Sequence, residues 1–218
     1  MGKSITKHHN WQLVLRKILS YIYEPCQENE IEFIITGSTS SALQKCPIIP
    51  ANIDILVKNP ESVNFIADLL KPFELQTRNS TDSEVWLSSK QNRVFIFDNK
   101  EKDELWHMGR WMVKGMQVEV AFIQSQTMLD KSREEGYIWE NGPDMYAHTL
   151  RFSFQNYFVQ VVPLEIQLSS LFLRDKLDRI KKIVQLFISE GCNRDLLMHA
   201  LKISDFQTVQ QYFENHPA

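Results

Sequence analysis

Apolar residues recur first at helical spacing and then at strand spacing. Trp11, Val14, Leu15, Ile18 and Ile22 fall on one face of a helix over 11–22, capped by Asn10 and ended by Pro25. The run Ile31–Thr36 is mostly apolar and of strand length. It stops at Gly37-Ser38, and a short helix through Ala42 and Leu43 follows. A second strand covers Asn52-Ile53-Asp54-Ile55-Leu56-Val57. Asn59-Pro60-Glu61 then supplies a cap, a first-turn proline and a first-turn acid for a helix that buries Val63, Ile66, Ala67 and Leu70.

From residue 73 the pattern turns to strands, expected at 84–87, 93–97, 105–113 and 116–123, with Lys114-Gly115 as a tight hairpin turn. Helix signals return at 125–133. Residues 147–154 and 157–162 read as a hairpin around Gln155-Asn156. Pro163 opens one long helix with Leu173, Leu177, Ile180, Val184 and Phe187 at helical spacing, broken at Gly191. Two short helices follow over 193–202 and 205–214, the second capped by Ser204. The fold class is α+β. Residues 1–162 form the α/β core, and residues 163–218 form a helical C-terminal part packed on it.

Composition narrows the function classes. A chain of 218 residues suits one domain with at most a small appendage. It buries roughly 70% of its unfolded surface and needs no disulfides. The net charge of -3 gives no global field for nucleic acid or an anionic membrane, which excludes a basic coat protein but not a local basic pocket. Cys26, Cys46 and Cys192 form no close pair, so reduced thiols and a cytoplasmic protein are expected. No apolar run approaches the ~20 residues of a membrane span. Met1-Gly2-Lys3-Ser4-Ile5-Thr6 matches the short myristoylation pattern at Gly2. The adjacent pair His8-His9 suits neither a helix face nor a strand face as a metal site. A P-loop, a dinucleotide-binding glycine fingerprint and a nucleophile elbow are all absent.

Three segments carry candidate chemistry. On a strand, alternate residues share a face, so Asn52 and Asp54 point one way while Ile53 and Ile55 point into the core. Glu119 faces oppositely to Val118 and Val120 in Gln117-Val118-Glu119-Val120. If the two strands are neighbours, Asp54 and Glu119 converge. Two carboxylates in one place repel unless a cation sits between them, and hard oxygen ligands suit Mg²⁺ or Mn²⁺. Gly37 and Ser38, at a strand-to-helix corner, offer close backbone approach, free N–H groups and a hydroxyl for phosphate.

The ordered set Ile35-Thr36-Gly37-Ser38, Asn52-Ile53-Asp54 and Glu119 resembles the nucleotidyltransferase superfamily. The hairpin GRWMVKGMQVEVAF and the segment Val161–Glu165, leading into Arg174, Lys176, Asp178 and Arg179, are similar to small antibiotic nucleotidyltransferases of the lincosamide type. The resemblance implies a mixed β-sheet flanked by helices and transfer of an NMP group from an NTP to an acceptor hydroxyl, the acceptor being a small molecule, a protein or an RNA end. It implies Asn52, Asp54 and Glu119 as metal ligands, with Asp54 and Glu119 catalytic. Gly37, Ser38, Lys176 and Arg179 would hold the nucleotide. One departure matters: Asn52 stands where the family carries the first Asp, so a charge is lost from the ligand set. Two expectations follow, a specialised enzyme or a degenerate member that binds a nucleotide or a partner without turnover.

Overall fold

The structure is a computed structural model and describes residues 10–78 and 80–215; Gly2 and His8-His9 lie outside them. The strands are β1 (Phe33–Thr36), β2 (Asn52–Val57), β3 (Phe95–Asn99), β4 (Glu104–Val113), β5 (Met116–Ser125), β6 (Leu150–Phe154) and β7 (Tyr157–Val161). They form one seven-stranded sheet in the order β3-β4-β5-β2-β1-β7-β6. β1 runs antiparallel to β2, while β2 with β5 and β1 with β7 are parallel pairs, so the sheet is mixed. The helices are α1 (Asn10–Glu28), α2 (Gly37–Leu43), α3 (Pro60–Leu69), α4 (Gln126–Glu135), α5 (Leu164–Leu173), α6 (Leu177–Glu190), α7 (Arg194–Ala200) and α8 (Ile203–Asn215). This is the α+β class expected from the sequence. No helix among the described residues is long and apolar enough to cross a membrane.

Alternation along the strands divides the core. Ile35, Ile53, Ile55, Val118 and Val120 lie under α1 and α3 in one cluster with Val14, Ile18, Ile22, Val63 and Ile66. Ile34, Leu56 and Ala121 face the other way and pack with Trp86, Met145, Val162 and Ile166. A third cluster joins α5 to α6–α8 through Leu168, Ile183, Val184, Leu197 and Val209. α5 belongs to both of the last two clusters and is buried nearly all round. It therefore fastens the C-terminal helices to the sheet.

Several elements differ from the sequence pattern. α1 runs through Pro25 to Glu28, because Cys26 extends the buried stripe one turn beyond Ile22. Asn10 begins α1, and its amide donates to the Lys114 carbonyl at 3.3 Å. Residues 84–87 form no strand. Residues 84 and 85 belong to a turn, 86 and 87 have no regular structure, and Trp86, 1% exposed, anchors the segment. The Ser88 N–H next to them donates to the Arg110 carbonyl at 2.7 Å. The long helix after Pro163 is two helices, parted at Arg174–Lys176 where Asp175 has φ +51°. Leu173 and Leu177, which bridge the gap in the sequence pattern, are both exposed. α8 starts before Ser204, while Asn193 caps α7 by accepting from Leu196 N–H at 3.0 Å.

Candidate ligand-binding cleft

Backbone register assembles the site. Thr36 of β1 lies opposite Asp54 of β2, Asp54 opposite Glu119 of β5, and Glu119 opposite Arg110 of β4. Residues opposite one another share a face, so four adjacent strands present the row Thr36, Asp54, Glu119, Arg110. A cavity of about 430 Å³ opens over Thr36, Asp54 and Glu119 of this row, lined also by Gly37, Asn52, Trp139, Glu140 and Arg174. The convergence of Asp54 and Glu119 inferred from alternation is thus present in the backbone.

The charges in the cleft are largely met from within the chain. Arg110 Nε donates to Glu119 Oε2 at 2.7 Å, and Arg110 Nη2 lies at the same distance from that oxygen in an ion pair. Arg110 Nη1 also donates to the Ser83 carbonyl at 2.6 Å and the Glu84 carbonyl at 3.2 Å, so the irregular segment before β3 holds the guanidinium in place. The Asn52 amide donates to Asp54 Oδ1 at 2.6 Å. Glu140, 4% exposed, accepts through Oε1 from Thr36 Oγ1 at 2.7 Å and from Gly37 N–H at 3.3 Å. Arg174 Nη2 lies 3.9 Å from Glu140 Oε2. Burial first, and then the neighbouring charges of Glu119 and Glu140, push the Asp54 carboxyl up to about 7, against the lowering pull of Arg174 and Arg110.

The Gly37 corner fits closely. Gly37 has φ +60°, and a Cβ built there would lie 3.0 Å from Asp54 Oδ2, so close approach and backbone angle both require glycine. Its N–H nevertheless points at a carboxylate of the chain rather than at open space. Ser38 is 3% exposed and does not line the cavity. Lys176 is exposed at the start of α6, Arg179 is half-buried on that helix, and neither lines the cavity. Arg174, in the break between α5 and α6, is the cation the C-terminal segment brings to the cleft.

The residues present fit a divalent cation poorly. Among the described residues no group of three or more His, Cys, Asp or Glu side chains is arranged to hold a metal ion. Glu119 already carries a guanidinium, and Asn52 offers Asp54 its amide N–H rather than a second charge.

Sequence reasoning missed Arg110, Glu140, Arg174 and Trp139. Arg110 was legible in principle. With Lys114-Gly115 as the turn, Val113 faces Met116, and three steps back Arg110 faces Glu119. Glu140 and Trp139 reach the site from the segment after α4, more than a hundred residues from Thr36, and no local pattern marks them.

No family model and no curated protein sequence matches this chain. Among solved structures it is similar to a candidate nucleotidyltransferase from Thermotoga maritima, with a TM-score of 0.53 and 19% identity over 83% of this chain and 94% of that chain. At that identity the likeness is one of fold.

Proposed function

We propose that this chain is a nucleotidyltransferase-fold protein that binds a ligand in the cleft without transferring a nucleotidyl group. The observation that carries the proposal is the Arg110 guanidinium held on Glu119 Oε2 at 2.7 Å. A two-metal transfer site works through carboxylate oxygens left free to draw in cations. Here a side chain is the cation. The pair is well shielded, with side-chain exposures of 13% and 22%, and two guanidinium nitrogens share one oxygen, so it persists better than a surface ion pair. Two further substitutions of ligand by protein support the reading. Asn52 removes one acidic charge, and Glu140 takes the Gly37 N–H that a phosphate oxygen would need.

A second reading is metal-dependent transfer of an NMP group from an NTP to an acceptor hydroxyl, using Asp54 and Glu119. It is favoured by their register and by the raised Asp54 carboxyl, which burial first, and then the charges of Glu119 and Glu140, push up. It requires Arg110 to leave Glu119 first.

Incubation with α-labelled NTPs, Mg²⁺ or Mn²⁺ and a mixed acceptor pool separates the two. Binding without transfer gives no incorporation, and Mg·ATP binds wild type more weakly than about 1 mM. The double variant Asn52→Asp, Arg110→Ala then gains about tenfold or more in Mg²⁺ affinity, because two free charges are restored. Label transfer by the wild type, lost in Asp54→Ala and in Glu119→Ala, reverses the choice.

A further inference from the structure

The cleft continues past the carboxylates. A second cavity of about 360 Å³ adjoins the first, and Ile123, Trp139 and Asn141 line both. Each chamber falls within the size range of small-molecule sites. The second is walled by Trp139 and Tyr146, with Leu129 and Pro143 beside them. Tyr146 is fixed by its hydroxyl, which donates to the Val57 carbonyl at 3.1 Å, and by the Lys58 ammonium 5.1 Å from its ring centre.

One turn divides the two chambers. The Gly142 N–H donates to the Trp139 carbonyl at 2.9 Å, and a Cβ at Gly142 would lie 2.9 Å from Trp139 Cε3. The turn therefore folds onto its own indole and holds it still. Glu140, inside the turn, is tied to Thr36 and Gly37. Between these anchors sits Asn141, half-buried, whose side-chain amide makes no hydrogen bond among the described residues. A carboxamide offers a donor and an acceptor side by side. On a pinned turn it needs little further ordering to grip a ligand.

We propose that the second chamber holds a flat heteroaromatic ring between Trp139 and Tyr146, its polar edge hydrogen-bonded to Asn141, with the ligand's arm reaching into the carboxylate chamber. The assignment rests on the binding reading above. Flat aromatic walls favour stacked or edge-on rings. Asp54, Glu119 and Glu140 line the first chamber against Arg174, and Arg110 is taken up by Glu119, so a neutral or cationic arm is favoured over an anionic one.

Three indoles with matched arms test this on the full chain by ligand-observed NMR titration: tryptamine, tryptophol and indole-3-acetate. Tryptamine binds most tightly and indole-3-acetate about fivefold or more weaker. Asn141→Ala weakens tryptamine about fivefold to tenfold with an unchanged unfolding midpoint, since the amide has no partner in the fold. Absence of saturable binding by all three, an equal or tighter hold on indole-3-acetate, or tryptamine binding indifferent to Asn141→Ala overturns the assignment. Label transfer from an NTP by the wild type would sink the binding reading whatever the indoles do. Failure of the indoles without such transfer removes only this inference.

Discussion

The two faces of the central strands face opposite tasks. On the side under α1 and α3, Ile53, Ile55, Val118 and Val120 are at most 1% exposed and belong to one apolar cluster. One residue along, on the other side, Asn52, Asp54 and Glu119 stay half-buried beneath an open cavity. The same backbone hydrogen bonds hold both rows. A period of two lets alternate positions be spent on cohesion and on chemistry, and the sealed face keeps the polar row in register without any contribution from it. The polar row is the less comfortable one, with its three carboxylates answered by two guanidiniums.

That division predicts unequal costs of truncation. Ile53→Ala removes fully buried apolar volume and loses about 3–4 kcal/mol, read from the denaturant midpoint. Asn52→Ala, its neighbour in sequence, gives up one hydrogen bond to a half-buried carboxylate and loses about 1 kcal/mol. Similar losses from both would mean that the two faces are not divided in this way.

The sealed face was also the legible one. Helical and alternating periods placed α1, β2, α3 and the β4–β5 hairpin, because burial imposes a repeat that the sequence must display. The same logic put Asp54 and Glu119 on one face. It failed where position depends on pairing with distant chain. Residues 84–87 look like a strand because Trp86 is buried, yet they are held by a side-chain and backbone link to Arg110 rather than by a ladder. The stripe across Leu173 and Leu177 continues helical spacing through a left-handed Asp175, so Arg174 turns to the cleft and Lys176 does not. Glu140 reaches Thr36 across the fold, and only tertiary structure reports it.

Acidity gives the next sharpest contrast, since Asp54 on the open face is held to about 7 while an unfolded aspartate titrates at ~3.9. Between those values the folded chain keeps a proton that the unfolded chain has released. The contribution of Asp54 to stability therefore falls as pH rises from about 4 to about 7, then levels off. Asp54→Asn removes that slope. At pH 8 it raises stability on the order of 2 kcal/mol, the full shift being discounted for solvent in the cleft. Urea midpoints for both proteins from pH 4 to 8 check this. An unaltered slope in the variant would mean that neither burial nor the charges of Glu119 and Glu140 raise Asp54.

The smallest effect separates backbone strain from contact at the corner where the two faces meet. Gly37 and Gly115 both have positive φ, +60° and +76°. Alanine at either site bears the left-handed penalty of about 1 kcal/mol. A Cβ at Gly115 meets nothing within 4 Å, whereas one at Gly37 sits 3.0 Å from Asp54 Oδ2. Gly37→Ala therefore loses more than Gly115→Ala by about 0.5 kcal/mol, because the carboxylate must shift by a few tenths of an ångström in a site already held by Asn52 and Glu140. Thermal midpoints of the two variants resolve the difference, and combining Gly37→Ala with Asp54→Ala, which removes the contacting oxygen, shows whether it belongs to that contact. Equal losses in the two single variants would leave Gly37 with a conformational role alone and the polar row free of any tight fit to the corner.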